Sequence, residues 1–243
     1  MIMFYIYNFL HKMANNSGEN QGETLKTLDT SKYPELENKL LPQVVSRLAT
    51  ALTENDVVAL LKNLRSIPDF PIEGINYRDI TTLCKNGECF KMISDALYEE
   101  YKNKWITKVV GIESRWYIMA AVLAYRLGAW FVPIRKPWKL PAETICVEYK
   151  KEYGKDCIEI HKDAIDENDV VLIHDDLLAT WGTMKGAYDL VRKLNKKKVY
   201  VNSILEITKE WSLLTEEWSL YWRDLFKDEV EEGKVDIKTL IKL

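Results

Sequence analysis

Two adjacent carboxylates, Asp175 and Asp176, stand near the end of an apolar run that begins at Asp169. The run is rich in β-branched residues, which predicts a strand buried on both faces of a parallel sheet, at the centre of that sheet. Hydroxyls and a glycine follow, and apolar residues at helical spacing then predict a helix over Lys185 to Leu194. The acids therefore mark the carboxyl end of a predicted strand, directly before a turn and a helix.

A strand, a short turn and a helix form an anion site, because the free amides and the positive dipole of the helix start point into the turn. Two carboxylates would repel a bare phosphate at close range. They suit sugar hydroxyls, or a magnesium ion held through water. A phosphorylated ribose satisfies both halves of such a site, and the alternative is an ordinary strand, loop and helix whose acids are solvated.

The composition limits the class of protein. A chain of 243 residues suffices for one main domain, and 47% hydrophobic content is normal for a soluble domain. A net charge of -3 and a pI of about 5.8 argue against a nucleic-acid-binding protein, which would carry a basic face. The four cysteines lack metal-type spacing, so we interpret them as reduced thiols of a cytoplasmic protein.

Both ends of the chain are expected to lie outside the main domain. An apolar run over Ile2 to Leu10 is too short to span a bilayer and lacks the flanks of a signal peptide. We interpret it as a translated leader, with Met13 as the real start. Residues 1–35 are predicted to be a disordered N-terminal extension, since Asn15 to Lys32 has almost no apolar side chain. Residues 211–243 are predicted to be a C-terminal extension with a charged helix over Trp222 to Leu243.

The remaining residues, 36–210, alternate between predicted helices and strands. Two helices are predicted between Leu36 and Leu64, with Thr53 as a cap, and an ordered loop over Ser66 to Leu83. The alternation that follows predicts an α/β fold with parallel strands and ligands at their carboxyl ends. Its predicted helices are Phe90 to Tyr101 and Tyr117 to Leu127, and its predicted strands are Lys108 to Ile112, Trp130 to Ile134 and Val199 to Ile207.

Cations stand at two further strand ends, in Gly111 to Arg115 and in Arg135 to Lys139. These cations place positive charge at the same edge of the predicted sheet at which Asp175 and Asp176 place negative charge. A period-two pattern around Tyr153-Gly154 predicts a hairpin, which we interpret as a flap near residues 138–160.

Five stretches in order resemble the adenine phosphoribosyltransferase family. Ile67 to Ile80, IPDFPIEGINYRDI, is similar to the family's base-side signature, and Asp175 to Thr183, DDLLATWGT, to its phosphoribosyl-pyrophosphate motif. Between them, in the family's order, lie Glu113 to Arg115, Arg135 to Pro141 and Glu152 to Gly154. The resemblance covers roughly residues 55 to 210, and five motifs in order are far more specific than one.

This resemblance implies a type I phosphoribosyltransferase fold, in which helices flank a mainly parallel five-stranded sheet under a small hood near residues 66–83. It implies a homodimer that uses Mg2+, with no assigned metal ligands, and that converts adenine and phosphoribosyl pyrophosphate (PRPP) into AMP and pyrophosphate. Asp175 and Asp176 would face the ribose hydroxyls, and Glu152 would handle the proton. The 5′-phosphate would be bound by Ala179, Thr180, Trp181, Gly182 and Thr183, the pyrophosphate by Arg115, Lys136, Lys139 and Tyr153, and adenine, largely through the backbone, by Tyr77 and Arg78.

The chemistry of this reaction fits the residues independently. Displacement at the anomeric carbon by a ring nitrogen passes through a cationic sugar, so carboxylates belong near the ribose and cations on the departing pyrophosphate. Both occur at predicted strand ends. A flap that excludes water would prevent hydrolysis of the activated sugar.

Tryptophan stands where the family has glycine, at Trp105, Trp116, Trp130, Trp138 and, inside the phosphate loop, Trp181. A Cβ disfavours positive φ, and an indole fills the space where amides must approach a phosphate. The 8 Trp and 10 Gly residues together are about 7% of the chain, the usual share of glycine alone. We expect that UGA codons meaning glycine were translated as tryptophan. The alternative is a divergent paralogue with a blocked site.

Two rival functions stay open at this point. The phosphate motif is shared with enzymes that act on hypoxanthine, xanthine or orotate, although Phe70 to Asp79 favours adenine. A non-catalytic nucleotide-binding protein is the other rival, with the terminal extensions as its adaptations. His174, beside the acid pair, is expected to be a core residue rather than a base.

Overall fold

A computed structural model of the protein describes residues 26–29, 32–33, 43–46, 51–70, 73, 76–113, 117–151, 154–178, 182–207 and 222–242. The helices are α1 Glu54–Asn63, α2 Thr81–Lys85, α3 Gly87–Tyr101, α4 Tyr117–Leu127, α5 Gly182–Leu194 and α6 Trp222–Glu231. The strands are β1 Lys26–Asp29, β2 Gln43–Ser46, β3 Arg65–Ile67, β4 Tyr77–Asp79, β5 Lys108–Ile112, β6 Trp130–Ile134, β7 Thr144–Lys151, β8 Gly154–His161, β9 Val171–Leu178, β10 Val199–Glu206 and β11 Val235–Lys242.

Seven of the described strands form one large sheet in the order β1-β2-β11-β10-β9-β5-β6, and β3–β4 and β7–β8 form two separate pairs. The five strands from β11 to β6 run parallel, whereas β2 joins β11, and β1 joins β2, in antiparallel pairing. The predicted mainly parallel five-stranded sheet is confirmed. Strand β9 is the third of its five parallel strands, so the central position predicted for it is confirmed as well.

The burial of β9 explains its position. Leu172 and Ile173 are fully buried and face opposite sides of the sheet, because successive side chains of a strand alternate. Leu172 belongs to a core cluster with residues of α1, α3 and α4, whereas Ile173 belongs to a second cluster with residues of α5 and α6. A strand covered on both faces in this way fixes whatever stands at its end.

Local signals explain where two of the helices begin. The Thr53 side chain accepts a hydrogen bond from the Asp56 amide, and the Asp56 carboxylate accepts one from the Thr53 amide, so the predicted cap of α1 is a complete capping box. The Asn86 side chain accepts bonds from the amides of Glu88 and Cys89 at the start of α3. Apolar residues of both helices belong to the first core cluster, together with Leu172 of the central strand.

The structure corrects three predictions from the sequence. The first of the two helices predicted between Leu36 and Leu64 is wrong at Gln43–Ser46, which is strand β2. The loop predicted over Ser66 to Leu83 contains the antiparallel pair β3–β4 and helix α2. Lys26–Asp29, inside the predicted disordered extension, is strand β1. Residues 1–25, which precede it, lie outside the described residues.

A fourth correction concerns the C-terminal extension. The predicted helix is present over Trp222–Glu231 but wrong over Val235–Lys242, which pairs in parallel with β10. Tertiary pairing explains the difference, because Leu240 and Ile241 complete the sheet's first core cluster. Residues 208–221 lie outside the described residues.

The hairpin predicted around Tyr153-Gly154 is confirmed as β7–β8, with Lys151 opposite Gly154. It packs on α5, where a Cβ added at Gly186 would come within 3.2 Å of the Tyr149 ring. Glycine at this position thus allows the close approach of hairpin and helix. In the described part of the chain, no helix is both long and apolar enough to cross a bilayer.

Candidate active site

The acid pair lies where the central strand reaches the carboxyl edge of the sheet. Asp175 and Asp176 are 4% and 2% exposed, and the Asp175 carboxylate accepts a hydrogen bond from the Asp176 amide at 2.9 Å. Adjacent strand residues point to opposite faces. Cys84 of α2 shows on which side Asp176 lies. Burial raises the pKa of the Cys84 thiol, and the negative charges of Asp176 and of Asp79 in β4 raise it further, so the Asp176 carboxylate lies near α2 and β4.

His174 precedes the acids and is fully buried, as the sequence predicts for a core residue. It lies in register with Asn202 of β10 and Gly111 of β5, and its Nδ1 bonds the Asn202 side-chain oxygen. Burial lowers the pKa of His174 to about 4, against a smaller opposing effect of the Asn202 hydrogen bond. The imidazole is therefore neutral at physiological pH and sits behind the acids as part of the core.

The predicted phosphate loop follows β9 directly. Gly182 and Thr183 form the first turn of α5 and are half-buried, whereas Ala179, Thr180 and Trp181 lie outside the described residues. The strand, the three-residue connection and the helix occur in the predicted order. The free amides of the first turn of α5 therefore come three residues after the end of the central strand.

The predicted cations lie on the loop after β6, two strands from β9 in the sheet. Lys136 and Lys139 are both exposed. The Glu113 carboxylate, at the end of β5, accepts hydrogen bonds from the Lys136 amide at 3.0 Å and from Arg135 Nε at 3.3 Å. Burial alone would raise the pKa of Glu113, but these hydrogen bonds and the nearby positive charges hold it below its ordinary value.

The predicted adenine residues lie in β4, which pairs with β3 beside the sheet. Arg78 is buried and bonds Ser66, and its burial lowers the pKa of the guanidinium. The Tyr77 ring is half-buried and meets the Phe70 ring edge to face, with centroids 5.2 Å apart. The Arg78 side chain is thus engaged within the hood, which fits the prediction that adenine is recognised largely through the backbone.

The Asp79 carboxylate holds this hood together. It bonds the Arg65 guanidinium across the β3–β4 pair and accepts a hydrogen bond from the Thr81 amide at 2.9 Å. Burial acts to raise the pKa of Asp79, and the hydrogen bonds from Thr81 and Arg65 lower it overall. The Asp79 carboxylate therefore links strands β3 and β4 to the start of helix α2.

The topology brings most of the described candidates to one edge. The acids lie near the carboxyl end of β9, Glu113 directly follows β5, and the lysine loop follows β6, and these three strands run parallel in that order. Besides Ala179, Thr180 and Trp181, three predicted residues lie outside the described residues: Arg115, and Glu152 and Tyr153 in the connection between β7 and β8. The sequence analysis assigned no role to Glu113, because its hydrogen bonds to Arg135 and Lys136 join residues that are 22 and 23 positions apart.

Three of the tryptophans expected to replace glycine are described, and all three are exposed, whereas Trp116 and Trp181 lie outside the described residues. Trp105 and Trp138 have φ angles of 55° and 66°, in the left-handed region that favours glycine. Trp130 instead lies in strand β6, away from that region. Among the described residues, Asp69 is the other non-glycine residue with positive φ, and aspartate tolerates it far better than tryptophan does.

Comparison with known proteins identifies close relatives. The chain is 64% identical over 148 residues to an adenine phosphoribosyltransferase of Bacteroides fragilis, covering 61% of this chain and 83% of the relative. It is 57% identical over 176 residues to an adenine phosphoribosyltransferase of Bacteroides thetaiotaomicron, covering 72% of this chain and 94% of the relative. No model of a protein family matches the chain.

Solved structures agree with the sequence relatives. An adenine phosphoribosyltransferase of Rhodothermus marinus superposes with a TM-score of 0.64 at 35% identity, covering 79% of this chain and all of the other. An enzyme of the same name from Giardia lamblia, in complex with 9-deazaadenine, superposes with a TM-score of 0.65 at 30% identity, covering 77% and 97% of the two chains.

Proposed function

This chain belongs to the adenine phosphoribosyltransferase family and is a purine-salvage transferase that makes AMP from adenine and PRPP, and we propose that the carboxyl edge of its central sheet is the site. One observation carries the proposal. Two buried acids lie near the end of the central strand β9, while two exposed lysines follow β6, two strands away, at the same edge. A ribose that carries phosphate groups at both ends needs this separation of charge.

In the proposed reaction, a ring nitrogen of adenine forms a bond to the anomeric carbon while the bond from that carbon to pyrophosphate breaks. Pyrophosphate departs with the electron pair, so positive charge develops on the sugar. Asp175 and Asp176 face the ribose hydroxyls and stabilise this charge. The connection of Ala179, Thr180 and residue 181, followed by Gly182 and Thr183 of α5, holds the 5′-phosphate.

The other proposed roles follow the chain's remaining motifs. The departing pyrophosphate meets Arg115, Lys136, Lys139 and Tyr153. Adenine lies against the backbone of Tyr77 and Arg78, and Glu152, in the connection of the β7–β8 hairpin, accepts the proton from the base. A hairpin that covers the site would keep water from the activated sugar.

The acid pair also suits the magnesium ion that we propose as cofactor. In the described part of the chain, no three His, Cys, Asp or Glu side chains cluster as a protein-only metal site. Magnesium is commonly bound by one or two carboxylates together with substrate oxygens and water, so Asp175 and Asp176 would hold it in this way. When bound, it would neutralise negative charge on the pyrophosphate.

An assay of AMP formation tests the substrate. Purified protein is incubated with PRPP, magnesium and one of adenine, hypoxanthine, xanthine or orotate, and the products are separated by chromatography. We expect product from adenine alone. Turnover of another base at a comparable rate would contradict the adenine specificity, and tight AMP binding without any turnover would support a non-catalytic protein.

We propose a homodimer that forms through the face of α4 and the edge strand β6. Ile118 and Tyr125 of α4 are exposed, Tyr125 by 87%, and Phe131 of β6 is exposed as well. Apolar side chains grouped at a sheet edge commonly mark an interface. Light scattering should give twice the mass of the chain, and Tyr125→Asp should reduce it to one; a monomeric wild-type protein would contradict the proposal.

We propose that the protein is cytoplasmic. Its cysteines Cys84, Cys89, Cys146 and Cys157 are all free thiols, which suits a reducing compartment. Cell fractionation that recovers the protein outside the cytoplasm would contradict this.

We also propose that glycine is the native residue at the five tryptophan positions. The positive φ angles of Trp105 and Trp138 support this, because a Cβ is unfavourable there. In the protein made with tryptophan, we expect weak PRPP binding that Trp181→Gly restores, as measured by calorimetry. Unchanged affinity would count against a blocked phosphate loop, and UGG codons at these positions would end the recoding explanation.

A further inference from the structure

We propose that Glu113 is a positioning residue, which fixes the loop of Lys136 and Lys139 so that both ammonium groups meet the pyrophosphate of the substrate. The inference rests on the proposed function, from which it takes the role of the two lysines. Glu113 itself would not touch the substrate and would act only through the loop of Lys136 and Lys139.

The Glu113 carboxylate joins the ends of two neighbouring strands. Its own amide donates to the carbonyl of Ile134, the last residue of β6, at 2.9 Å. Its side chain then accepts hydrogen bonds from the Lys136 amide at 3.0 Å and from Arg135 Nε at 3.3 Å. The carboxylate therefore holds the first two residues of the lysine loop against the end of β5.

A second carboxylate holds the other side of the loop. The backbones of Arg135 and Glu159 exchange hydrogen bonds at 2.9 and 2.7 Å, and the Glu159 carboxylate accepts one from the Trp138 amide at 3.3 Å. Arg135 also donates to the Lys139 carbonyl at 3.1 Å. An exposed loop thus has a defined path, set by hydrogen bonds to one carboxylate on each side.

Both carboxylates accept their hydrogen bonds from backbone amides or from Arg135 rather than from a lysine ammonium, although the Lys139 charge lies near enough to help lower the pKa of Glu113. Lys136 and Lys139 are exposed, and neither ammonium forms an ion pair with a described residue. Their positive charges are therefore directed to solvent at the sheet edge, close to the acids that fix the loop. Such an arrangement pre-orients cations for an anion without neutralising them.

This geometry predicts a selective defect. PRPP and pyrophosphate contain the diphosphate that the lysines would contact, whereas AMP does not. A displaced loop should weaken binding of the first two ligands and leave AMP binding intact. A carboxylate needed only for folding would weaken all three.

The test compares Glu113→Ala with the wild-type protein. Removing a charged hydrogen-bond acceptor should raise the KM for PRPP about tenfold to a hundredfold. The KM for adenine and the Kd for AMP, measured by calorimetry, should change less than about twofold. Glu113→Gln should recover part of the loss, because its amide oxygen still accepts from Lys136.

Glu143→Ala is the matched control. The Glu143 side chain is 83% exposed, pairs with Lys162 at 2.9 Å and directly precedes strand β7. It should leave every constant unchanged. An equal loss of AMP and PRPP binding in Glu113→Ala, or no loss of either, would overturn the positioning role.

Lys136→Ala and Lys139→Ala separate this inference from the proposed function. If they leave the KM for PRPP unchanged, the lysines do not bind pyrophosphate and the proposed function fails at that point. If they raise it while Glu113→Ala does not, the positioning role alone fails. If both the lysine variants and Glu113→Ala raise the KM for PRPP, the double variant Glu113→Ala with Lys136→Ala should lose less PRPP binding free energy than the sum of the two single losses.

Discussion

The two charged regions of the site are built in opposite ways. Asp175 and Asp176 are buried in the middle strand of the sheet, whereas Lys136 and Lys139 are exposed on a loop. The acids cannot move without the core, while the lysine loop depends on a few hydrogen bonds to Glu113 and Glu159. In the site that we propose, the rigid sheet would set the position of the ribose, and the hydrogen-bonded loop would set how the leaving group is bound.

The largest effect is expected at the acids. Asp175→Asn and Asp176→Asn should each lower kcat/KM for AMP formation roughly 100-fold to 1,000-fold, because a neutral amide no longer stabilises the cationic sugar. Steady-state assays check this at saturating magnesium. A fall below about threefold in both variants would break the comparison, since the acids would then be mere core residues.

A buried ion pair tests the rigidity of the acid side. Lys242 of β11 bonds Glu206 of β10 at 2.8 Å, and both side chains are buried. Lys242→Met should lower the free energy of unfolding by about 3 to 5 kcal/mol, because it leaves a buried carboxylate without its cation. Urea titration measures this.

The exposed pair Lys91–Asp95 provides the control, since Lys91→Met should cost less than about 0.5 kcal/mol. Equal effects of Lys242→Met and Lys91→Met would show that the sheet edge is no more rigid than the surface.

Because His174 is buried and neutral beside the acid pair, the free energy of unfolding should depend on pH. Its folded pKa of about 4 lies below the ordinary value of 6.5, so below pH 6.5 the unfolded chain binds a proton that the folded chain does not. The free energy of unfolding should therefore fall as the pH drops from 6.5 toward 4. The expected loss is about 2 kcal/mol between pH 7 and pH 5.

Denaturant titrations of the wild type and His174→Gln over this range check the prediction. In His174→Gln, the free energy of unfolding should depend less steeply on pH over this range, because the contribution of the imidazole is gone. Identical slopes in the two proteins would show that the imidazole is protonated within the fold.

The smallest effect is expected on the lysine loop. Trp138 is 95% exposed with φ at 66°, so Trp138→Gly should raise the free energy of unfolding by about 1 kcal/mol through relief of backbone strain. Trp130→Gly is the control with the opposite sign, because glycine in an extended strand costs about 0.5 to 1 kcal/mol. Stabilisation by both substitutions would point to exposed indole rather than strain as the cause.

Most of the sheet could be predicted from the sequence because its strands are strongly apolar and alternate with helices of clear period. The predicted Lys108–Ile112 and Trp130–Ile134 match the strands exactly as bounded in the structure, and the buried run before Asp175 is the central strand. Strand β11 was predicted as part of a solvated, charged helix, because charged residues such as Lys238 and Lys242 interrupt its apolar residues. Their partners, Glu100 and Glu206, are distant in sequence and could not be inferred from local pattern.

The candidate site divides in the same way. Asp175, Asp176, Lys136 and Lys139 were predictable because residue type and strand ends point to them. The role of Glu113 was not, since it depends on a hydrogen bond to a backbone amide 23 residues away. Local propensity carries no information about such a contact.

AMP formation by Asp175→Asn combined with Asp176→Asn tests the central claim most directly, with Glu143→Ala as the folded control. We predict that adenine and PRPP give AMP with the Trp181→Gly protein and with the control in the same background, and that the double variant in this background keeps its fold but loses at least about 99% of kcat/KM. Undiminished AMP formation by the folded double variant would contradict the assignment of the sheet's carboxyl edge as the active site.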